Sequence, residues 1–243
     1  RIFSPAGVYP SGGAPARVSA MKVALVHYHL RRGGVARTID DLLAVPGIDF
    51  CVLTGEPPQR NYHVPVQVVP LLAYDERRAG EGTARDLYRG IREALHRVWP
   101  DSEVLLHLLN PVLGKNSLFP GLLRKLDSNN HDVLYHIFDF PEDGRYADLS
   151  RAAYPRHGHL AVSTRRDARI LREAGADAGG VHVFPLAKAS ESRCSPPPPS
   201  GNTCLLPVRA RARKNIGEAL LLCSLCEGEE HFAVTLPPES PAD

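Results

Sequence analysis

Two stretches of this chain combine residue types that suit phosphate chemistry. In VALVHYHLRRGGVARTIDDLL, residues 23–43, Gly33 and Gly34 separate an apolar run from an amphipathic one. Glycine lets the backbone come close to a ligand with its N–H groups outward. A helix N-terminus just behind it adds partial positive charge, so phosphate is the natural guest. In VRARARKNIGEAL, Arg209, Arg211, Arg213 and Lys214 crowd a second turn between an apolar run and a helical one. Arginine grips two oxygens at once and lysine supplies a point charge, which suits a diphosphate. Each feature also has a plainer reading on spacing alone: a tight turn for the glycines and a solvated basic loop for the cations.

Two further loops carry polar groups. LHLLNPVLGKNSLF offers His107, Asn110, Lys115 and Asn116, and LYHIFDFPEDGR offers His136, Asp139, Glu142, Asp143 and Arg145. Side chains with many donors and acceptors suit a hydroxyl-rich sugar, although Asn, Ser and Asp also serve as helix caps. Two fingerprints are missing. There is no GxGxxG for a dinucleotide and no GxxxxGK[ST] for a nucleoside triphosphate.

The elements that must position these groups alternate. KVALVH reads as a buried strand and residues 35–43 as a helix. DFCVLT, VQVVPLL, EVLLHLL, DVLYHIF, HLAVST and VHVFP read as further strands. Helices are expected at about 84–98, 118–126 and over RRDARILREAG, and Leu87, Ile91, Leu95 and Val98 share one face of the first. Continuously apolar strands separated by helices imply a parallel sheet covered on both faces. The expected fold is therefore α/β, a Rossmann-like doubly wound parallel sheet over residues 21–187. A Pro-rich linker at 188–203, with four consecutive prolines, stiffens the chain. Residues 204–243 then restart the pattern as an incomplete second α/β domain, with the leucines at 220, 221, 222 and 225 expected to be exposed. Residues 1–20 have no period and are expected to lack fixed structure. The only methionine, Met21, directly precedes the first strand and reads as the natural start.

Composition removes several classes. Apolar residues at 43% and charged residues at 23% describe an ordinary globular chain. A formal charge of only +2 argues against a dedicated nucleic-acid binder. The apolar runs fall short of the roughly 18 residues a membrane span needs, and the first residues lack the apolar block of a secretory signal. Five scattered cysteines do not form a disulfide framework, which points to a reducing, cytoplasmic setting. Cys223 and Cys226 make a CxxC without a second ligand pair and read as buried helix thiols.

Three segments in order resemble family 4 glycosyltransferases of GT-B fold. MKVALVHYHLRRGGVARTIDDL is similar to their first strand, glycine loop and helix. HLAVSTRRDARILREAG followed by VHVFPLA is similar to the end of their N-terminal, acceptor-side domain. PVRARARKNIGEALL is similar to the opening of their C-terminal, donor-binding domain. The resemblance implies transfer of a sugar from a nucleotide-sugar donor to a glycan or lipid-linked acceptor with retained configuration. It implies that Arg209 and Lys214 hold the donor diphosphate, that Gly33 and Gly34 face the same phosphates, and that no metal or other cofactor is required. It allows a peripheral association with the inner membrane face and no nucleic-acid partner.

The match departs in two places. Where many relatives carry a His–Asp pair, this chain reads Phe138–Asp139, with His136 two residues earlier on the same strand face. His136 and Asp139 are thus the candidates for a catalytic role. The paired glutamates that hold the donor lie outside these 243 residues, so the chain is expected to be a fragment that does not transfer sugar alone. A non-catalytic binding or regulatory module derived from the same domain is the other reading.

Overall fold

The computed structural model describes residues 20–128, 131–140, 154–155, 158–185, 203–209, 214–225 and 231–236. The chain divides into two compact units, Arg1–Ser190 and Glu191–Asp243.

In the first unit seven strands form one sheet in the order β3-β2-β1-β4-β5-β6-β7, every adjacent pair parallel. The strands are β1 (Met21–His27), β2 (Ile48–Thr54), β3 (Val66–Val68), β4 (Leu105–Leu109), β5 (Val133–Ile137), β6 (His159–Val162) and β7 (Val181–Val183). The helices are α1 (Gly34–Leu43), α2 (Ala84–Val98), α3 (Phe119–Ser128) and α4 (Arg165–Glu173). This is the α/β, Rossmann-like doubly wound arrangement that alternating apolar runs imply.

Two buried clusters explain the winding. Val23 and Leu25 of β1 pack with Ile39 and Leu43 of α1 on one face. Ala24, Val26 and Tyr28 point the other way, into a larger cluster shared with α2, α3 and α4. Period-two alternation within one strand thus feeds two helical layers. Helix α2 starts on a reciprocal cap, Thr83 Oγ1 accepting from Asp86 N while the Asp86 carboxylate accepts from Thr83 N. It buries Leu87, Ile91 and Ala94, with Leu95 and Val98 partly buried beside them.

The expected strand VQVVPLL is shorter than its apolar run. Only Val66–Val68 pairs with β2, because Pro70 has no N–H to give and opens a 3-10 turn over Pro70–Leu72. That turn delivers Tyr74 to the end of β2.

The second unit contains β8 (Thr203–Arg209), α5 (Ile216–Ser224) and β9 (His231–Leu236), with β8 and β9 parallel. Their register shifts between Leu206 and Arg209, where Pro207 cannot donate to the ladder. Leu220, Leu221, Leu222 and Leu225 are 61–73% exposed. Cys223 is half-buried rather than buried, since α5 buries none of its residues, and Cys226 lies outside the described residues. No helix among the described residues is long and apolar enough to cross a membrane.

A contiguous exposed leucine surface favours association. The protein is expected to self-associate with rising concentration, and the double variant Leu221→Lys, Leu225→Lys to sediment as a smaller species. Identical sedimentation of the two proteins would contradict this.

Candidate functional site

The order β3-β2-β1-β4 reverses the direction of winding between β1 and β4. Outside the carboxyl ends of those strands an open α/β sheet leaves its ligand crevice. The residues that follow β1, β2, β4 and β5 all gather at this end of the sheet.

The loop after β1 carries Gly33 and Gly34. Gly33 is the N-cap of α1 with φ 176° and ψ 178°, an extended backbone open to any residue. A Cβ at Gly33 would have only the Arg31 carbonyl oxygen nearby, at 3.8 Å, and one at Gly34 would meet nothing within 4 Å. Among the described residues neither a left-handed backbone nor crowding calls for glycine at these two positions. The first helical bond runs from Arg37 N to Gly33 O at 3.0 Å. No side chain caps α1 and no acidic residue lies in its first turn. Among the described residues no side chain offsets the partial positive charge of the α1 N-terminus.

His27 closes the seam beside this loop. Its Nδ1 lies 2.9 Å from the Leu109 carbonyl. A carbonyl only accepts, so Nδ1 carries the proton and the ring is held as that neutral tautomer. Burial pushes its pKa down to about 3.

The loop after β4 is organised from within. Asn110 has a left-handed backbone, φ 59°. Its Oδ1 accepts from the N–H groups of Phe138 and Asp139 at 3.3 Å, and its Nδ2 donates to Asp139 Oδ2 at 2.9 Å. One amide thus joins the loops after β4 and β5. Asn116 is wholly buried. Its Nδ2 donates to the Leu71 and Ala73 carbonyls at 2.8 and 2.6 Å, and its Oδ1 accepts from Leu118 N at 2.8 Å. Lys115 is half-buried with Nζ 6.0 Å from the centre of the Tyr74 ring.

His107 and His136 form a stacked pair, Nε2 to Nδ1 at 3.2 Å, with 3% and 0% exposure. Phe138 lies 4.1 Å from the His136 ring and Phe184 lies 5.3 Å from it, centre to centre. Desolvation drives the His107 pKa down to about 3 and the His136 pKa down to about 4. His136 Nε2 has no hydrogen-bond partner among the described residues.

The sequence-predicted residues therefore divide. Gly33 and Gly34 face open space, and Lys115 borders the same end of the sheet. Asn110, Asn116, His107 and His136 turn inward, and Asp139 is held by Asn110. Lys214 is exposed in the second unit, Arg209 ends β8, and Glu142 and Arg211 lie outside the described residues.

Sequence reasoning missed a further group at the ends of β1 and β2: His29, Arg31, Thr54, Glu56 and Tyr74. The signal was the alternation in VHYH, which puts His27 and His29 on one face at the strand end. Gly55 positions this group. Its N–H bonds the Tyr28 carbonyl at 3.0 Å, and a Cβ there would come within 2.1 Å of Ala73 N. Tyr74 is thereby pressed against β1, its ring 5.1 Å from that of His29 and 4.8 Å from that of Tyr28. Desolvation first, then the neighbouring Arg31, lowers the His29 pKa.

No protein-family model matches this chain, and no curated protein matches it. Among solved structures it is similar to Phytolacca americana UGT2, determined as a complex with UDP-2fluoro-glucose and pterostilbene. The two are 12% identical with a TM-score of 0.48, and the match covers 93% of this chain and 73% of that one. A likeness at that level carries no argument about activity. The first unit is a doubly wound parallel α/β sheet whose α1 N-terminus, at the switch point, has no side-chain cap among the described residues.

Two outcomes follow. Gly55→Ala is expected to destabilise the fold by about 1–3 kcal/mol in urea unfolding, because backbone must move to admit the methyl; an unchanged midpoint would contradict the close approach. His27, His107 and His136 titrate lower folded than unfolded, so between about pH 6.5 and about pH 4 the unfolded chain binds more protons. Stability is therefore full above about pH 6.5 and falls as pH drops, by up to about 1.4 kcal/mol per pH unit for each histidine. A urea midpoint that stays constant from about pH 7 to about pH 5 would rule this out.

Proposed function

We propose that this chain belongs to a GT-B glycosyltransferase, with the first unit on the acceptor side and the second opening the donor side. The donor is a nucleotide-sugar, and its diphosphate meets the α1 N-terminus at Gly33 and Gly34. The observation that carries this reading is the pair of glycines with room for side chains and no conformational need to lack them. A residue that the chain's own structure does not require to be glycine is explained by a partner that approaches its backbone. The uncapped N–H groups of α1 make that partner an anion. The ordered resemblance of the three segments to family 4 supports a sugar nucleotide over a free phosphate.

The transfer cleaves the bond between the sugar's anomeric carbon and the diphosphate oxygen and forms one to an acceptor hydroxyl, whose proton is lost. Charge builds on the departing diphosphate, and preorganised donors directed at it stabilise the transition state. In the first unit the α1 N–H groups fill that role, and the resemblance to family 4 gives Arg209 and Lys214 the same task. The cations do the neutralising that a metal does in other transferases. The acceptor is a glycan or lipid-linked sugar, the configuration is retained, and the protein works in the cytoplasm, where it can lie against the inner membrane face.

The test separates binding from stability. Gly34→Ala puts a better helix former at the first position of α1 and is expected to leave stability unchanged or raise it by about 0.5–1 kcal/mol. The same change is expected to weaken inorganic pyrophosphate binding about tenfold, read from the backbone amides of 33–36 by NMR. Gly34→Ala protein that binds pyrophosphate as tightly as the parent would overturn the proposal.

A further inference from the structure

At the other end of the sheet, where β4 and β5 begin, a cleft of about 360 Å³ opens between the C-terminal turns of α2 and α3. Its floor is apolar. Ile91, Leu106 and Leu126 are buried there, with Leu95 half-buried beside them. Trp99 also lines the cleft, its indole N–H donating to Asp49 Oδ2 at 2.9 Å. A cavity of this size with an apolar floor suits a small organic molecule. No residue of the candidate functional site lines it.

The rim carries charge of both signs. Arg92 and His96 come from α2, Asp101 and Glu103 from the turn before β4, and His131 and Asp132 from the turn before β5. Among the described residues the Arg92 guanidinium and the three carboxylates make no hydrogen bond or ion pair. Opposite charges that border one cavity without pairing are available to a ligand.

His131 stands within reach of both signs. Its Nε2 lies 2.7 Å from the Tyr88 hydroxyl. Desolvation first, then Arg92, lowers its pKa, while Asp132 raises it. Two further charges nearby are engaged elsewhere. Lys22 Nζ donates to Ser102 Oγ at 2.6 Å, and Asp127, in an adjoining recess, accepts from the Tyr135 hydroxyl at 3.1 Å. The cleft thus presents one guanidinium against three carboxylates, and the last carbonyls of α2 and α3 add partial negative charge. An ammonium is the favoured charge here and a carboxylate the second.

We propose that this cleft binds a free α-amino acid with an aliphatic side chain of about leucine's size. The ammonium lies toward Asp132, the carboxylate toward Arg92, and the side chain on the floor of Ile91, Leu106 and Leu126. An α-amino acid carries both charges on one carbon, which matches opposite charges acting on a single imidazole. A simple amine or a simple acid answers only one of them. The site does not depend on the glycosyltransferase reading.

Trp99 is the only tryptophan of the chain and reports on the cleft. The 243-residue protein is titrated with L-leucine, isoamylamine, isocaproate and glycine, following Trp99 emission and, in parallel, heat by calorimetry. Leucine is expected to bind saturably and at least about tenfold more tightly than each of the others. Arg92→Gln is expected to weaken leucine binding about tenfold while isoamylamine stays within about twofold, and Asp132→Asn to weaken both. Both positions are exposed, and an unaltered urea midpoint in each variant shows the fold intact. Isoamylamine or isocaproate binding as tightly as leucine would overturn the proposal. So would leucine binding that Arg92→Gln leaves unchanged, or no saturable binding of leucine by either readout.

Discussion

The hydrogen bond from His27 Nδ1 to the Leu109 carbonyl sits where β1 meets β4 and the sheet reverses its winding. An all-parallel sheet with helices on both faces favours apolar side chains along its length, and the stacked His107–His136 pair within β4 and β5 departs from that pattern. Other polar side chains appear at the strand ends, and the ends of β1 and β4 are the ones from which the chain departs in opposite directions. His27 satisfies an outward carbonyl there without water and fixes its own tautomer in doing so. The loop that ends in Gly33 and the loop that begins at Asn110 leave the sheet on either side of this bond.

Around that seam the molecule sorts polar groups into two kinds. Asn110 and Asn116 spend their hydrogen-bonding capacity on the chain itself, and His107 and His136 bond each other while His136 Nε2 stays without a partner among the described residues. Asn116 alone ties residues 71, 73 and 118, and Asn110 joins the loops after β4 and β5. His29, Arg31, Thr54 and Glu56 keep buried atoms unpaired, and the α1 N-terminus keeps its N–H groups uncapped. Inward groups give rigidity to the outward ones. Desolvation holds the buried histidines neutral.

Much of the fold was legible because its elements are locally consistent. Helix α2 combines an amphipathic period with a Thr83–Asp86 cap, and both signals fall within one short window. The strand in VQVVPLL was overextended because apolar character continues past the point where Pro70 ends pairing. The glycine corner was legible in type but not in its surroundings: only the fold shows that the Gly33 backbone is extended and that a Cβ at either position would meet no close contact among the described residues. The polar residues of the β4 loop looked available for a ligand because their partners are remote in sequence. Asn116 meets residues 43 and 45 positions away, and Asn110 meets one 29 positions away.

The amino-acid sequence by itself determined the alternation of strands and helices, the parallel class of the sheet and the placing of glycine and cations at strand-to-helix corners. Those properties follow from periodicity and local backbone preference, which act over a few residues. Tertiary structure alone decided which polar side chains turn inward, which remain unpaired, and that Gly55 lets Tyr74 close the corner between β1 and β2. Hydrogen-bond satisfaction and desolvation depend on atoms that the fold brings together from distant positions, and no local pattern encodes them.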